Sequence, residues 1–278
     1  MILFPNAKIN LGLNITRKRP DGYHDLETVF YPLQIKDAIE VVENQSADAD
    51  RQPFVFSQSG HEINGALESN LCYKAWALLK KDFPNLPPIL FHLHKAIPMG
   101  AGLGGGSADA SFALILLNRK FKLGIGNEQL LEYALLLGSD CPFFILNQPV
   151  FAGGRGELMQ SINLSLKGYY IVIVFPHIHI STPWAFKQII PAVPEFHLKD
   201  ITQQPVTSWR TLMRNDFEPA VFNAYPEIGR IKEQLYEAGA VYASLSGSGS
   251  TVYGIFKTID FVLPDFPTHY FTRTLPLT

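Results

Sequence analysis

Cysteine is scarce. Cys72 and Cys141 are the only two, too few for a disulfide framework. Charge of one sign is equally lacking: 23 Lys and Arg stand against 25 Asp and Glu, a formal net charge of −2. A sequence-blind binder of phosphate backbones needs a basic face, and no such excess exists here. Long apolar runs are missing too. The longest uncharged stretches are 168–186, broken by Pro176, His177, His179 and Pro183, and 238–256, broken by Gly and Ser. Neither suits a membrane span of about 20 apolar residues. Met1 to Lys8 has no basic segment leading into an apolar one, so no secretory signal is expected. The expectation is a cytoplasmic protein with reduced thiols, without nucleic acid or membrane as partner, in which the N-x-S/T triplets at Asn14, Asn44 and Asn163 are chance matches.

The chain is rich in core material. Apolar residues make up 47% of its 278 positions and charged residues 17%, enough for one large domain or two ordinary ones and against disorder. Ile9, Leu11, Leu13 and Ile15 alternate with Lys8, Asn10, Gly12 and Asn14. That is the pattern of a half-buried strand with Lys8 and Asn10 neighbours on its polar face. Pro20-Asp21-Gly22 is turn chemistry. After it, Tyr23 to Leu33 and Ala38 to Glu43 are predicted as strands of an antiparallel meander, with Phe54 to Phe56 extending it. Asn70 precedes Leu71, Ala75, Leu78, Leu79 and Phe83 at helical spacing and suits an N-cap or a nearby loop. Ile89 to His94 is predicted as a strand, and Glu128 to Leu137 as a helix stopped before Pro142. Beyond it, strands are expected at 169–175, 242–246 and 250–256, and helices near 208–222 and 225–238. The composition loosens at Gly153-Gly154-Arg155-Gly156, which places the domain boundary there: 1–155 and 156–278. Strands and helices mix without a strict βα rhythm, so the fold class is α+β.

Between the strand at 89–94 and an apolar helix running through Phe121 lies Pro98-Met-Gly100-Ala-Gly102-Leu-Gly104-Gly105-Gly106-Ser107. Glycines opening a helix let several backbone N–H groups approach an anion at the positive end of the helix dipole. Tight packing is the competing use of such a loop. No Lys-Ser or Lys-Thr follows the last glycine, which excludes a common P-loop, and the loop is not in a first βαβ unit as a dinucleotide site requires.

Pro98 to Ala108 resembles the ATP-phosphate loop of the galactokinase, homoserine kinase, mevalonate kinase and phosphomevalonate kinase superfamily. Two further motifs accompany it in the expected order, Pro5-Asn-Ala-Lys8-Ile-Asn10-Leu-Gly-Leu and Ser246-Gly247-Ser-Gly249-Ser-Thr251. Within the superfamily, the first of these with Arg19-Pro-Asp21-Gly22-Tyr23-His24 and Leu137-Gly138-Ser-Asp140-Cys-Pro142-Phe resembles the branch that phosphorylates a cytidine-diphosphate-linked methylerythritol, in the non-mevalonate isoprenoid route. The resemblance implies a two-domain small-molecule kinase: a ribosomal-protein-like N-terminal domain, a ferredoxin-like C-terminal domain and the active site in the cleft between them. It implies ATP with Mg²⁺, a cytidine-diphosphate polyol whose 2-hydroxyl is phosphorylated, and a cytosine stacked between Tyr23 and Phe186. His24 would bond the base edge, and Thr182 would be a substrate contact. Pro98, Met99, Gly100, Ala101, Gly102, Leu103, Gly104, Gly105, Gly106, Ser107 and Ala108 would bind ATP, with Lys95 and Asn70 near its adenosine.

Phosphoryl transfer needs alignment and charge stabilisation more than covalent help. Asp140 is the expected carboxylate for the acceptor hydroxyl, against the alternative that it closes a turn. Lys8 would keep Asp140 ionised and offset phosphoryl charge, and Asn10 would position the polyol. Ser107, expected to begin the helix, can cap it, reach a phosphate or act as a Mg²⁺ ligand. Asp109, expected in the first turn, is left outside the site because it would repel phosphate. The pairs His92/His94 and His177/His179 lack a third metal ligand at recognisable spacing. A homoserine- or mevalonate-type kinase is the alternative activity and an RNA-binding module the non-enzymatic one. A monomer or weak homodimer is expected.

Overall fold

The computed structural model describes residues Met1–Thr278. Its strands in chain order are β1 (Ile2–Leu3), β2 (Asn6–Lys18), β3 (His24–Lys36), β4 (Ala38–Glu43), β5 (Phe54–Gly60), β6 (Ile89–Lys95), β7 (Val150–Gly153), β8 (Leu158–Ser161), β9 (Tyr170–Phe175), β10 (Tyr242–Leu245), β11 (Val252–Phe256) and β12 (Phe271–Pro276). The helices are α1 (Leu71–Asp82), α2 (Gly105–Phe121), α3 (Asn127–Leu137), α4 (Cys141–Leu146), α5 (Thr182–Lys187), α6 (Leu198–Ile201), α7 (Trp209–Leu212), α8 (Glu218–Ala224) and α9 (Pro226–Glu237). No helix is long and apolar enough to cross a membrane.

Packing divides the chain into two units, each drawn from three segments of the sequence. One comprises Met1–Ala7, Gln34–Met99 and Gly104–Gln148; the other Lys8–Leu33, Gly100–Leu103 and Pro149–Thr278. The first unit holds the sheet β1-β4-β6-β5. Its core joins Ile39, Val41, Phe91 and Leu93 to the buried faces of α1, α2 and α3, through Trp76, Leu79, Leu114, Leu117 and Leu130. The second unit holds the sheet β10-β11-β9-β12, and Val172, Val174, Leu245 and Val252 pack on Val221, Ile228, Ile231 and Leu235 of α8 and α9. A third sheet has the order β2-β3-β7-β8.

The expected meander is therefore cut short. β2 and β3 neighbour each other as expected, but β4 leaves for another sheet, antiparallel to β1 and β6. Asp37 sits at that break and its Oδ1 accepts from the N–H groups of Ala96 (2.6 Å) and Ile97 (2.8 Å), which ties the start of β4 to the end of β6. β5 does not extend a meander either; it pairs in parallel with β6. Parallel neighbours need a crossover, and α1 supplies it. The single helix expected near 208–222 is two short ones. Between them the chain is extended, because Leu13 exchanges backbone hydrogen bonds with Arg214 (2.9 Å) and Asp216 (2.8 Å). The Asn215 amide donates to the carbonyls of Leu245 (2.9 Å) and Gly247 (2.8 Å). A helix there would forfeit all four bonds.

Candidate active site

Three sequence motifs meet within the second unit. Lys8 N donates to Leu103 O (2.9 Å), the Ser246 hydroxyl donates to Gly102 O (2.9 Å), and Thr251 N donates to Ala101 O (3.3 Å). Gly102 has φ +78, and a Cβ there would lie 2.2 Å from Ser246 O, so neither the conformation nor the space admits a side chain.

α2 begins at Gly105, with Gly104 as N-cap in the left-handed region and no side chain capping the helix. Ser107 is therefore neither the first helical residue nor the cap, a correction to the expectation. Its carbonyl accepts from the Ser111 hydroxyl at 2.9 Å. The uncapped N–H groups of this first turn and the dipole behind them suit an anion.

Beside that turn the first unit has a cavity of about 430 Å³, lined by Phe56, Leu67, Asn70, Leu71, Met99, Gly106 and Asp109 among others. Asn70 combines two of its expected roles: its side chain accepts from Cys72 N at 2.8 Å, capping α1, and it lines the cavity. Lys95 does not line it. Its ammonium is fully buried and bonded to Asp37 and, at 2.7 Å, to Asp109, so the amine expected near a nucleoside is committed to two carboxylates instead. Asp109 lies past the first turn of α2, not in it, and the desolvation of burial pushes its carboxyl up to about 7 despite Lys95. Its other oxygen, Oδ1, is buried without a partner.

β2 is buried on both faces from Asn6 to Ile15, so the side expected to be half-solvated is closed, with Lys8 and Asn10 paired on it. Lys8 Nζ donates to Asn10 Oδ1 (2.6 Å) and lies 4.9 Å from the Phe30 ring centroid. The Asn10 amide donates to the Thr28 hydroxyl (2.9 Å), which donates on to Gly12 O (2.7 Å). The Tyr253 hydroxyl donates to Asn10 O at 2.7 Å. Such a network holds Lys8 and Asn10 in one geometry. Thr28, Tyr253 and Asp37 escaped the sequence reading because their partners lie far along the chain and no local spacing marks them.

Asp140 precedes α4, with Pro142 in that helix's first turn, and its carboxylate makes no capping bond. The turn itself is closed by backbone: Cys141 N donates to Gly138 O at 3.1 Å.

Of the expected base-binding residues, His24 and Phe186 are stacked, with centroids 5.0 Å apart and planes at 21°. Phe217 meets Phe186 edge-on at 5.0 Å. Tyr23 is 56% exposed. Burial and Lys18 lower the pKa of His24, favouring the neutral ring. The Thr182 hydroxyl lies 3.2 Å from that of Ser248, in the third motif. His92 bonds Ser57 (2.8 Å) and His94 bonds Ser59 (2.9 Å).

Residues 70–148 match the GHMP kinases N terminal domain and residues 198–261 the GHMP kinases C terminal domain. A 4-diphosphocytidyl-2-C-methyl-D-erythritol kinase of Bacteroides fragilis is 56% identical over 258 residues, covering 92% of each chain. One from Parabacteroides distasonis is 49% identical over 275 residues, 99% of this chain and 96% of that one. A solved structure of a 4-(cytidine 5'-diphospho)-2C-methyl-D-erythritol kinase superimposes with a TM-score of 0.78 at 29% identity, covering 91% of this chain and 89% of that one. Mevalonate kinase of Methanococcus jannaschii, at 13% identity and a TM-score of 0.66 over 92% and 90% of the two chains, shares the fold. On this identity and coverage the chain belongs to the 4-diphosphocytidyl-2-C-methyl-D-erythritol kinase family of GHMP kinases.

Proposed function

We propose that this ATP-dependent kinase transfers the γ-phosphoryl group to the 2-hydroxyl of 4-diphosphocytidyl-2-C-methyl-D-erythritol, with Asp140 and Lys8 as its catalytic residues. The observation that carries the proposal is the joining of the glycine loop to Lys8 and Ser246 through backbone and hydroxyl bonds. The donor's phosphates rest on the loop from Pro98 to Ala108 and on the first turn of α2. Its nucleoside occupies the cavity bordered by Asn70, Leu71 and Met99. Mg²⁺ would arrive with the nucleotide as part of the substrate and would offset phosphate charge, with Ser107 as the hydroxyl the loop could offer it.

Asp140 accepts a hydrogen bond from the 2-hydroxyl and takes its proton as the new P–O bond forms and ADP departs. In a loose transition state that proton moves late, so a carboxylate suffices. Lys8 balances the charge on the transferred group. Asn10 accepts from Lys8 and contacts the polyol. Tyr23 and Phe186 hold the cytosine, with His24 at its edge and Thr182 nearby. The enzyme works in the cytoplasm as a monomer or weak homodimer, with no nucleic acid or membrane partner.

The test is ATP consumption with the cytidine-linked methylerythritol, homoserine and mevalonate offered separately. Turnover is expected with the first alone. Turnover with either of the others in its place would overturn the substrate assignment.

A further inference from the structure

The turn Gly153-Gly154-Arg155-Gly156 joins β7 to β8, and the reaction described above makes no use of it. It is nevertheless closely specified. Gly154 and Gly156 have φ of +64 and +105, Leu26 N donates to Gly154 O at 2.7 Å, and Arg155 N donates to a Glu157 carboxylate oxygen. These contacts anchor the turn to β3 just beyond Tyr23. The Arg155 guanidinium carbon lies 4.8 Å from the centroid of the Tyr23 ring. Its nearest acid is Glu157, whose Oε1 stands 3.7 Å from Nε, too long for a hydrogen bond. Asp21, the other neighbouring acid, is engaged by Arg19 at 2.9 Å. The guanidinium thus lies over the ring while keeping a long ion pair with Glu157.

We propose that Arg155 is a positioning residue for the pyrimidine seat: its guanidinium caps one face of Tyr23 and leaves the opposite face for the substrate's cytosine. The inference rests on the substrate reading given above. A half-exposed tyrosine samples several rotamers, and binding a base to it requires ordering it first. A cation held over one face orders the ring beforehand and so lowers the cost of stacking a base on the other. Arginine suits this because its flat guanidinium lies parallel to an aromatic ring.

The experiment compares Arg155→Gln, Arg155→Lys, Tyr23→Leu and the Tyr23→Leu/Arg155→Gln double variant. Steady-state kinetics and calorimetric titration with CDP serve as readouts. Arg155→Gln should raise KM for the cytidine-linked substrate and Kd for CDP by about two- to fivefold, the scale of one exposed cation–π contact. kcat and KM for ATP should stay at wild-type values, which also certifies the fold. Arg155→Lys should recover part of the loss. In the Tyr23→Leu background Arg155→Gln should cost nothing further, because the ring it serves is gone. Unchanged KM and Kd in Arg155→Gln would overturn the proposal while leaving the substrate reading intact, and so would an equal loss in both backgrounds. Wild-type protein that neither binds CDP nor turns over the cytidine-linked substrate would remove both.

Discussion

Lys95 and Asp109 share a hydrogen bond of 2.7 Å between side chains that are 0% and 4% exposed, and Lys95 is bonded in turn to the equally buried Asp37. Two carboxylates thus share one ammonium. Burial pushes the Asp109 carboxyl up to about 7, whereas in the unfolded chain it titrates near 3.9. Between those values the folded protein holds the extra proton, so this group's contribution to stability falls as pH rises across the window from about 4 to 7. Asp109→Asn should flatten that slope and raise stability at pH 8 relative to the wild type, because the amide leaves Lys95 paired with Asp37 and carries no charge that burial penalises. Urea unfolding at pH 5 and pH 8 for both proteins checks it; parallel pH dependence would contradict it.

Removing the ammonium has the opposite consequence. Lys95→Met leaves Asp37 and Asp109 facing each other without a counter-charge in a closed interior, and breaking a buried pair in this way costs about 3–5 kcal/mol. The loss should appear as a lowered urea midpoint, and adding Asp109→Leu should recover part of it. A Lys95→Met protein of wild-type stability but raised KM for ATP would restore the direct nucleotide contact that sequence reasoning expected.

Asp140 lies at the start of α4 without capping it, and asparagine matches it in size and shape, so Asp140→Asn should spare the fold. Asp140→Asn should lower kcat by about 10²–10⁴-fold, the usual worth of a positioned acid–base group, while ATP still binds to the glycine loop. Turnover at the wild-type rate would remove Asp140 from the mechanism.

Gly102→Ala would force a Cβ to 2.2 Å from Ser246 O at φ +78. The loop must move off the third motif, and the Ser246 hydroxyl loses its bond to residue 102. KM for ATP should rise at least tenfold, or the protein should melt at a lower temperature. Gly124→Ala is the control: φ is +75 but nothing lies within 4 Å of its Cβ position, so its cost is conformational and nucleotide binding should survive. Equal ATP affinity in the two variants would show that the close approach at Gly102 is not needed.

Local chemistry alone determined much of this protein. Alternation marked β2, helical spacing marked α1 and α3, Asn70 announced its own cap, and glycines before an apolar segment announced a helix start, though not that it begins at Gly105 without a side-chain cap. Each of these depends on residues within one or two turns of each other, so each is legible from the chain. The motifs also carried the family. Sheet membership was not legible: whether β4 continues beside β3 depends on which edge needs its backbone bonds, and Asp37 resolves that through Ala96 and Ile97. The same holds for the break at Met213 to Phe217, where Leu13 competes for groups that a helix would otherwise pair. Lys95 illustrates the limit most clearly. Its position in the sequence suggested a ligand contact, but a lysine's role follows from where the carboxylates lie. Asp37 and Asp109, 58 and 14 residues away, reach it only once the chain has folded.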